Sequence, residues 1–168
     1  MKNSPILFFL ALALMFSCSS DNSDDNGVPA VNAIVGTWDL TRIEIDETVD
    51  DDDLDFAKGI VDVLVAQNCD LLTLVFNEDG SLTITQRDFD DIEIDLTGGG
   101  TGLSLTCPET QSTSSADWTL DGDQLTVTFE DQTQETVTVN VNGNTLTADA
   151  DFVDEENLAG ADAVFAKR

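Results

Sequence analysis

Apolar and polar residues alternate along most of the chain with a period of two, which is typical of half-buried antiparallel strands. Threonine fills many of the polar positions, as expected for a pleated surface in contact with solvent. The alternation therefore predicts an all-β fold. The apolar positions that define it are Leu72, Leu74 and Phe76; Leu82 and Ile84; Ile92, Ile94 and Leu96; Leu125, Val127 and Phe129; Val137, Val139 and Val141; Leu146, Ala148 and Ala150.

Short glycine-containing turns separate several of these runs. The segments 77–80, 121–123 and 142–144 each place glycine where a tight hairpin needs a positive φ. Hairpins between sequence neighbours produce an up-and-down meander, and closure of the meander removes exposed edges. We therefore predict an antiparallel barrel of about eight strands.

Four segments modify this pattern. From Asp52 to Asn68 the apolar residues Ala57, Ile60, Val61 and Leu64 have helical spacing, which predicts one helix between the first and second strands. The first strand, 36–45, changes its apolar face near residues 41–42, which predicts a bulge there. Residues 97–116 are interpreted as a long loop. The tail, 152–168, is ambiguous: its pattern is compatible with a helical turn at 154–160 and a last strand at Ala163–Ala166.

The N-terminus has the features of an export signal. Lys2 precedes an apolar run, Ile6–Phe16, that is shorter than the roughly 20 residues a membrane-spanning helix needs. The run ends at Met15-Phe16-Ser17-Cys18, which resembles the signal box of bacterial lipoproteins, although Phe16 is not small. That resemblance implies lipidation of Cys18, and two or more acyl chains would anchor a soluble domain. The alternative is an ordinary cleaved signal in which Cys18 is incidental.

These features divide the chain into three parts: a lipoprotein signal peptide, 1–17; a flexible acidic tether, 18–33; and a barrel domain, 34–168. The acidic residues Asp21, Asp24 and Asp25 resemble the short signal that sends some lipoproteins to the outer face of the outer membrane. We therefore predict a location in the cell envelope, lipid-anchored at the outer membrane. The sequence leaves open whether the domain faces the periplasm or the cell surface.

The charge of the chain is strongly negative, with 34 Asp and Glu against 6 Lys and Arg. Histidine and tyrosine are absent, which excludes Ser-His-Asp catalysis and histidine-ligated metals. Nucleic acid is not expected as a partner, because phosphate binding requires clustered basic residues. We predict neither enzymatic activity nor a cofactor.

Six features occur in the order found in lipocalin-like domains of secreted bacterial lipoproteins, which this chain resembles over about residues 34–150. They are Gly36 and Trp38, a helix over residues 54–68, Cys69, the turn Phe76–Gly80, Cys107 and Trp118. The resemblance implies a lipocalin-like barrel in which a basic residue from the far end of the barrel packs on Trp38. Three basic residues are candidates for this position: Arg42, Arg87 and Lys167.

Cys69 and Cys107 are the only cysteines besides Cys18, and an exported protein meets an oxidising compartment. We therefore expect a disulfide between them, which would contribute about 3–4 kcal/mol in the chain-entropy description. The alternative is a pair of buried free thiols.

The large aromatic residues Trp38, Phe76, Trp118 and Phe129 either fill the core of the barrel or line a cavity within it. The acidic run 50–55 does not form an EF-hand loop, because Phe56 stands where that loop needs glycine. This run is a solvated helix start or a weak cation site, and no dedicated metal site is predicted.

Two functions follow from these features. The first is the binding of a small apolar or amphipathic ligand inside the barrel. The second is a ligand-free module that contacts an unidentified envelope protein through its acidic exterior.

Overall fold

The computed structural model describes residues 33–88, 92–96, 103–154 and 157–168. The predicted signal peptide, Cys18 and nearly all of the tether lie outside these residues. Among the helices within the described ranges, none has both the length and the apolar character needed to cross a membrane.

The fold is mostly β, with one helix between the first two strands, as predicted. The elements are β1 (Gly36–Ile45), α1 (Asp52–Ala66), β2 (Leu72–Phe76), β3 (Ser81–Arg87), β4 (Glu93–Leu96), β5 (Leu103–Thr106), β6 (Gln111–Asp121), β7 (Gln124–Phe129), β8 (Gln134–Asn142), β9 (Thr145–Asp149), a 3₁₀ helix (Ala150–Phe152) and β10 (Ala161–Lys167).

Eight antiparallel strands form a closed barrel in the order β1-β10-β9-β8-β7-β6-β3-β2. The first and last strands pair along most of their lengths and so close the sheet. The register of this pair shifts between Leu40 and Arg42, which confirms the predicted bulge. The hydroxyl of Thr41, at the bulge, donates a hydrogen bond to the carbonyl of Val164 at 2.8 Å.

The prediction of a long loop over residues 97–116 is wrong at residues 103–106 and 111–116, while residues 97–102 lie outside the described ranges. Leu103–Thr106 form β5, and Gln111–Ala116 form the first half of β6, which pairs with β3. The apolar alternation at Ile92–Leu96 does produce a strand, but β4 pairs only with β5, in a separate two-stranded sheet. The first half of β6 lacks an apolar alternation because its inward positions, Ser112 and Ser114, are exposed at one end of the barrel.

The two ends of the barrel differ in their connections. The hairpins at 77–80, 122–123 and 143–144 share one end with residues 33–35, and we call it the closed end. The opposite end, called the open end, carries α1, the β4–β5 hairpin and the connection from β9 to β10. The long connections therefore lie at the open end, where they can form a binding site.

A cation and an aromatic ring seal the closed end. Trp38 is fully buried, and the Nζ atom of Lys167 lies 5.0 Å from the centre of its ring. The same Nζ atom donates to the carbonyl oxygen of Ala33 at 3.1 Å, and the Trp38 indole donates to the carbonyl of Ile34 at 2.6 Å. Of the three candidates for the basic partner of Trp38, Lys167 is therefore the one that packs on it.

Gly36 makes this seal possible. Its φ is 137°, and a Cβ atom added there would lie 2.6 Å from the Cε atom of Lys167. Any other residue would meet both an unfavourable backbone conformation and a clash with the lysine stem. The Lys167 side chain packs against the backbone of residue 36, which explains why glycine stands two residues before Trp38.

We predict that Lys167→Ala lowers the free energy of unfolding by about 1–2 kcal/mol, because it removes a partly buried cation–π contact and a hydrogen bond. Urea denaturation measures the effect. Lys167→Met keeps the apolar stem and should recover part of the loss. Lys58→Ala, the control, removes an i,i+4 ion pair with Asp62 and should cost about 0.5 kcal/mol or less. Equal losses for the two alanine variants would contradict the assignment.

A row of carboxylates crosses the outside of the barrel at its closing seam. Glu44 on β1 is the register partner of Asp162 on β10, which is in turn the partner of Asp149 on β9. Partial burial, and then the charges of Asp149, Glu44 and Asp46, raise the pKa of Asp162. In the row itself only Glu44 has a basic partner, Arg42, at 2.6 Å. Like charges directly opposite each other on neighbouring strands destabilise a sheet.

We predict that Asp162→Asn stabilises the protein at pH 7 by a few tenths of a kcal/mol, an effect limited by solvent screening. A raised folded-state pKa means that Asp162 costs stability as pH rises from its ordinary value, 3.8, through the folded value. The gain should therefore shrink on acidification and disappear below about pH 3.8. Urea denaturation at several pH values measures it.

Asp79→Asn is the control with the opposite sign. The Ser81 hydroxyl, followed by the Ser81 backbone N–H, lowers the pKa of Asp79, so its contribution exists above its ordinary pKa and is lost as pH falls. This variant should be less stable than the parent protein at pH 7. A gain for Asp79→Asn, or a loss for Asp162→Asn, would contradict this account of the seam.

Candidate functional site

Large side chains fill the barrel towards its closed end. Trp38 is fully buried, and Phe76 and Trp118 are 1% and 6% exposed. The rings of Phe76 and Trp118 meet edge to face at 5.4 Å, and the Trp118 indole donates to the carbonyl oxygens of Asn77 and Ser81. These three residues act as core. The fourth aromatic, Phe129, is only partly buried and lines a recess of about 450 Å³ at the open end.

Helix α1 lies at the open end and packs on β1 and β5. The Asp51 carboxylate accepts hydrogen bonds from the backbone N–H groups of Asp53 and Leu54 at 3.0 and 3.2 Å, which fixes the start of the helix. Leu54, Val61 and Leu64 are its buried residues, as the helical spacing of Val61 and Leu64 predicts. The outer part of this face remains in contact with solvent.

A groove of about 520 Å³ runs between α1 and the connection from β9 to β10. One wall is the helix, through Leu54, Phe56, Ala57, Ile60 and Val61. The facing residues are Ile92, Asn157, Leu158 and Ala159. Its volume falls in the range of about 300–1,000 Å³ that is usual for small-molecule sites.

Phe56 is the most exposed apolar side chain of this groove. It is 50% exposed, while Leu54, Val61 and Leu158 are each at most 5% exposed. The groove therefore has an apolar floor that belongs to the core and an aromatic ring at its edge. Together these can shelter the hydrocarbon part of a ligand.

Three carboxylates line the same groove: Asp51, Asp53 and Asp154. Asp154 accepts hydrogen bonds from the backbone N–H and the side-chain amide of Asn157, at 3.2 and 2.8 Å. No basic residue is among the described residues that line the groove. Its chemistry is thus apolar and anionic.

A covalent and a polar link hold the end of α1 in place. Cys69 and Cys107 form a disulfide with Cα atoms 5.8 Å apart, as predicted. Arg87 donates to the carbonyl oxygen of Asp70 at 3.2 Å and to that of Pro108 at 2.5 Å, one next to each cysteine. The chain after the helix is therefore fixed to the chain after β5.

The acidic run 50–55 forms the start of the helix. Asp51 caps it, and Asp52, Asp53 and Asp55 lie in its first turn, where carboxylates favour the positive end of the helix dipole. In the described ranges, no group of three or more carboxylate or cysteine side chains is arranged to hold a metal ion.

The groove combines residues that the sequence patterns do not bring together. Ile92 and Leu158 are distant from α1 in sequence, and only the tertiary fold places them opposite it. One signal was present: Phe56 lies outside the apolar stripe formed by Ala57, Ile60, Val61 and Leu64, so an exposed aromatic residue on the helix was foreseeable.

Comparisons with known proteins identify a family. Residues 34–148 match a family model described as a lipocalin-like domain. A lipocalin-like protein from Bacteroides uniformis is 13% identical with a TM-score of 0.45, and the match covers 81% of this chain and 99% of that chain. An uncharacterized protein from Bacteroides eggerthii is 13% identical with a TM-score of 0.42, covering 80% and 98%. No curated protein matches significantly.

Proposed function

Because this chain belongs to the lipocalin-like domain family, we propose that it is a lipid-anchored envelope lipoprotein that binds a small amphipathic ligand at the open end of its barrel. The observation that carries the binding function is the groove between α1 and the β9–β10 connection. It offers an apolar floor, an exposed phenylalanine and polar groups within one concave surface of about 520 Å³.

The groove is a better candidate than the barrel axis. The sequence offered a ligand inside the barrel, with Trp38, Phe76, Trp118 and Phe129 as either lining or core. The first three side chains are at most 6% exposed and contact one another or backbone carbonyls, so a ligand there would have to displace core. A ligand at the groove displaces only solvent.

We predict that the mature chain, residues 18–168 made without lipid, binds N-phenyl-1-naphthylamine, a neutral apolar probe whose fluorescence rises in apolar surroundings. Ala159→Trp places a large side chain in the groove and should weaken binding by about tenfold or more, while Phe56→Ala should weaken it less. Native mass spectrometry of the same protein, purified from cells, should reveal a retained small molecule.

Val49→Ala is the matched control, because Val49 is also an exposed apolar residue but does not line the groove. It should leave binding unchanged. Absence of probe binding together with a clean apo mass would reject the binding function. That result would favour the second candidate, a ligand-free module that contacts envelope proteins through its acidic exterior.

The proposed lipid anchor depends on acylation of Cys18. We predict that expression of the full chain in a Gram-negative bacterium yields a membrane-bound protein whose mature N-terminus is an acylated Cys18. Mass spectrometry of the N-terminal peptide identifies the modification. Cys18→Ser should abolish it, whereas Ser19→Ala should retain it. A mature protein that carries an unmodified Cys18 thiol and is found in the soluble fraction would reject the anchor.

A further inference from the structure

We propose that the groove selects amphiphiles whose polar group is a cation, such as an alkylamine or an alkyl quaternary ammonium. This inference rests on the proposed binding function and adds the chemical class of the ligand. Four features of the groove support it: the charges that line it, the use of the nearest backbone donors, the placement of the lysine on α1 and the exposed ring of Phe56.

The first feature is the one-sided charge of the lining. Asp51, Asp53 and Asp154 contribute three carboxylates, and no described residue of the lining is basic. The net charge of the whole chain, −28, adds a field of the same sign. An anionic amphiphile such as a fatty acid would therefore be repelled where a cation is attracted.

The second feature is the state of the helix start, which in other proteins can attract an anion. Here the backbone N–H groups of Asp53 and Leu54 donate to the Asp51 carboxylate, and that of Asp55 donates to the Asp51 carbonyl at 3.0 Å. These donors are therefore satisfied by the chain itself. None of these three N–H groups is left to bind an anion in the groove.

The third feature is the position of Lys58, the only basic residue of α1. It forms an i,i+4 ion pair with Asp62 and does not line the groove. The Asp53 carboxylate, by contrast, has no ion-pair or hydrogen-bond partner among the described residues. Asp53 is thus the lining carboxylate best placed to pair with a ligand.

Phe56 completes the arrangement. Its ring is half exposed on the same helix, three residues after Asp53 and five after Asp51. An aromatic face attracts an ammonium group, and apolar neighbours shelter the attached chain. A carboxylate and an aromatic ring at the edge of an apolar groove form the combination that a cationic amphiphile requires.

The test compares three probes of equal chain length in the mature chain: decyltrimethylammonium, 1-decanol and decanoate, the last at a pH where it is ionised. Each is titrated by displacement of N-phenyl-1-naphthylamine, below its micelle concentration. We expect decyltrimethylammonium to bind about tenfold more tightly than decanoate, with decanol between them. Raising NaCl from about 20 to about 300 mM should weaken only the cation.

Asp53→Asn should weaken decyltrimethylammonium binding about threefold and leave decanol unchanged. Asp117→Asn is the matched control: it makes the same change in net charge on the outer face of β6, away from the groove, and should leave both affinities unchanged. Equal losses in the two variants would overturn the local role of Asp53 in favour of the overall field.

The outcomes separate the two proposals. If none of the probes binds, the binding function itself fails. If the probes bind but decanoate binds as tightly as the ammonium probe, or more tightly, the cationic class is wrong while the binding function stands.

Discussion

The pairing of β1 with β10 is the interaction on which the rest of the structure depends. An eight-stranded meander that stays open exposes two strand edges, and an exposed edge is a site of aggregation. Here the two strands pair from Trp38 to Ile45 across a bulge, and Lys167 on β10 covers the Trp38 ring on β1. Arg168 adds a bidentate ion pair to Asp39 at 2.8 and 2.9 Å. Two of the 6 basic residues of the chain are thus used at this junction.

Closure also determines where a ligand can bind. Once the sheet is closed, inward side chains from eight strands converge on a narrow interior, and aromatic and leucine side chains fill it near Trp38. The hairpins at the closed end are too short to form a concave surface. The open end carries the helix and the long connections, so the apolar groove between α1 and Leu158 arises there.

The sequence predicted the fold well because the decisive signals are local. Alternation, glycine turns and the helical spacing of Val61 and Leu64 each depend on neighbours a few residues apart. The prediction failed for the first half of β6, where Ser112 and Ser114 point inwards at the open end and need not be apolar. The groove was equally beyond local patterns, because Ile92 and Leu158 meet α1 only after closure.

Two different environments for carboxylates occur among the described residues. Asp46, Asp79 and Asp131 each accept hydrogen bonds from the hydroxyl and the backbone N–H two residues later, which lowers the pKa of each. These acids serve the turns that contain them. Asp162 instead faces Asp149 and Glu44 across the seam, and its raised pKa reflects lost hydration and repulsion.

The groove is lined by Asp51, Asp53 and Asp154, and no basic residue is among its described lining. Two of them serve the fold, Asp51 as the helix cap and Asp154 as an acceptor from Asn157. A fold that needed only solubility could carry its charge dispersed over the outward threonine positions of the strands. Carboxylates that line an apolar recess attract a cation, and the hydrocarbon part of a bound cationic amphiphile would cover Phe56.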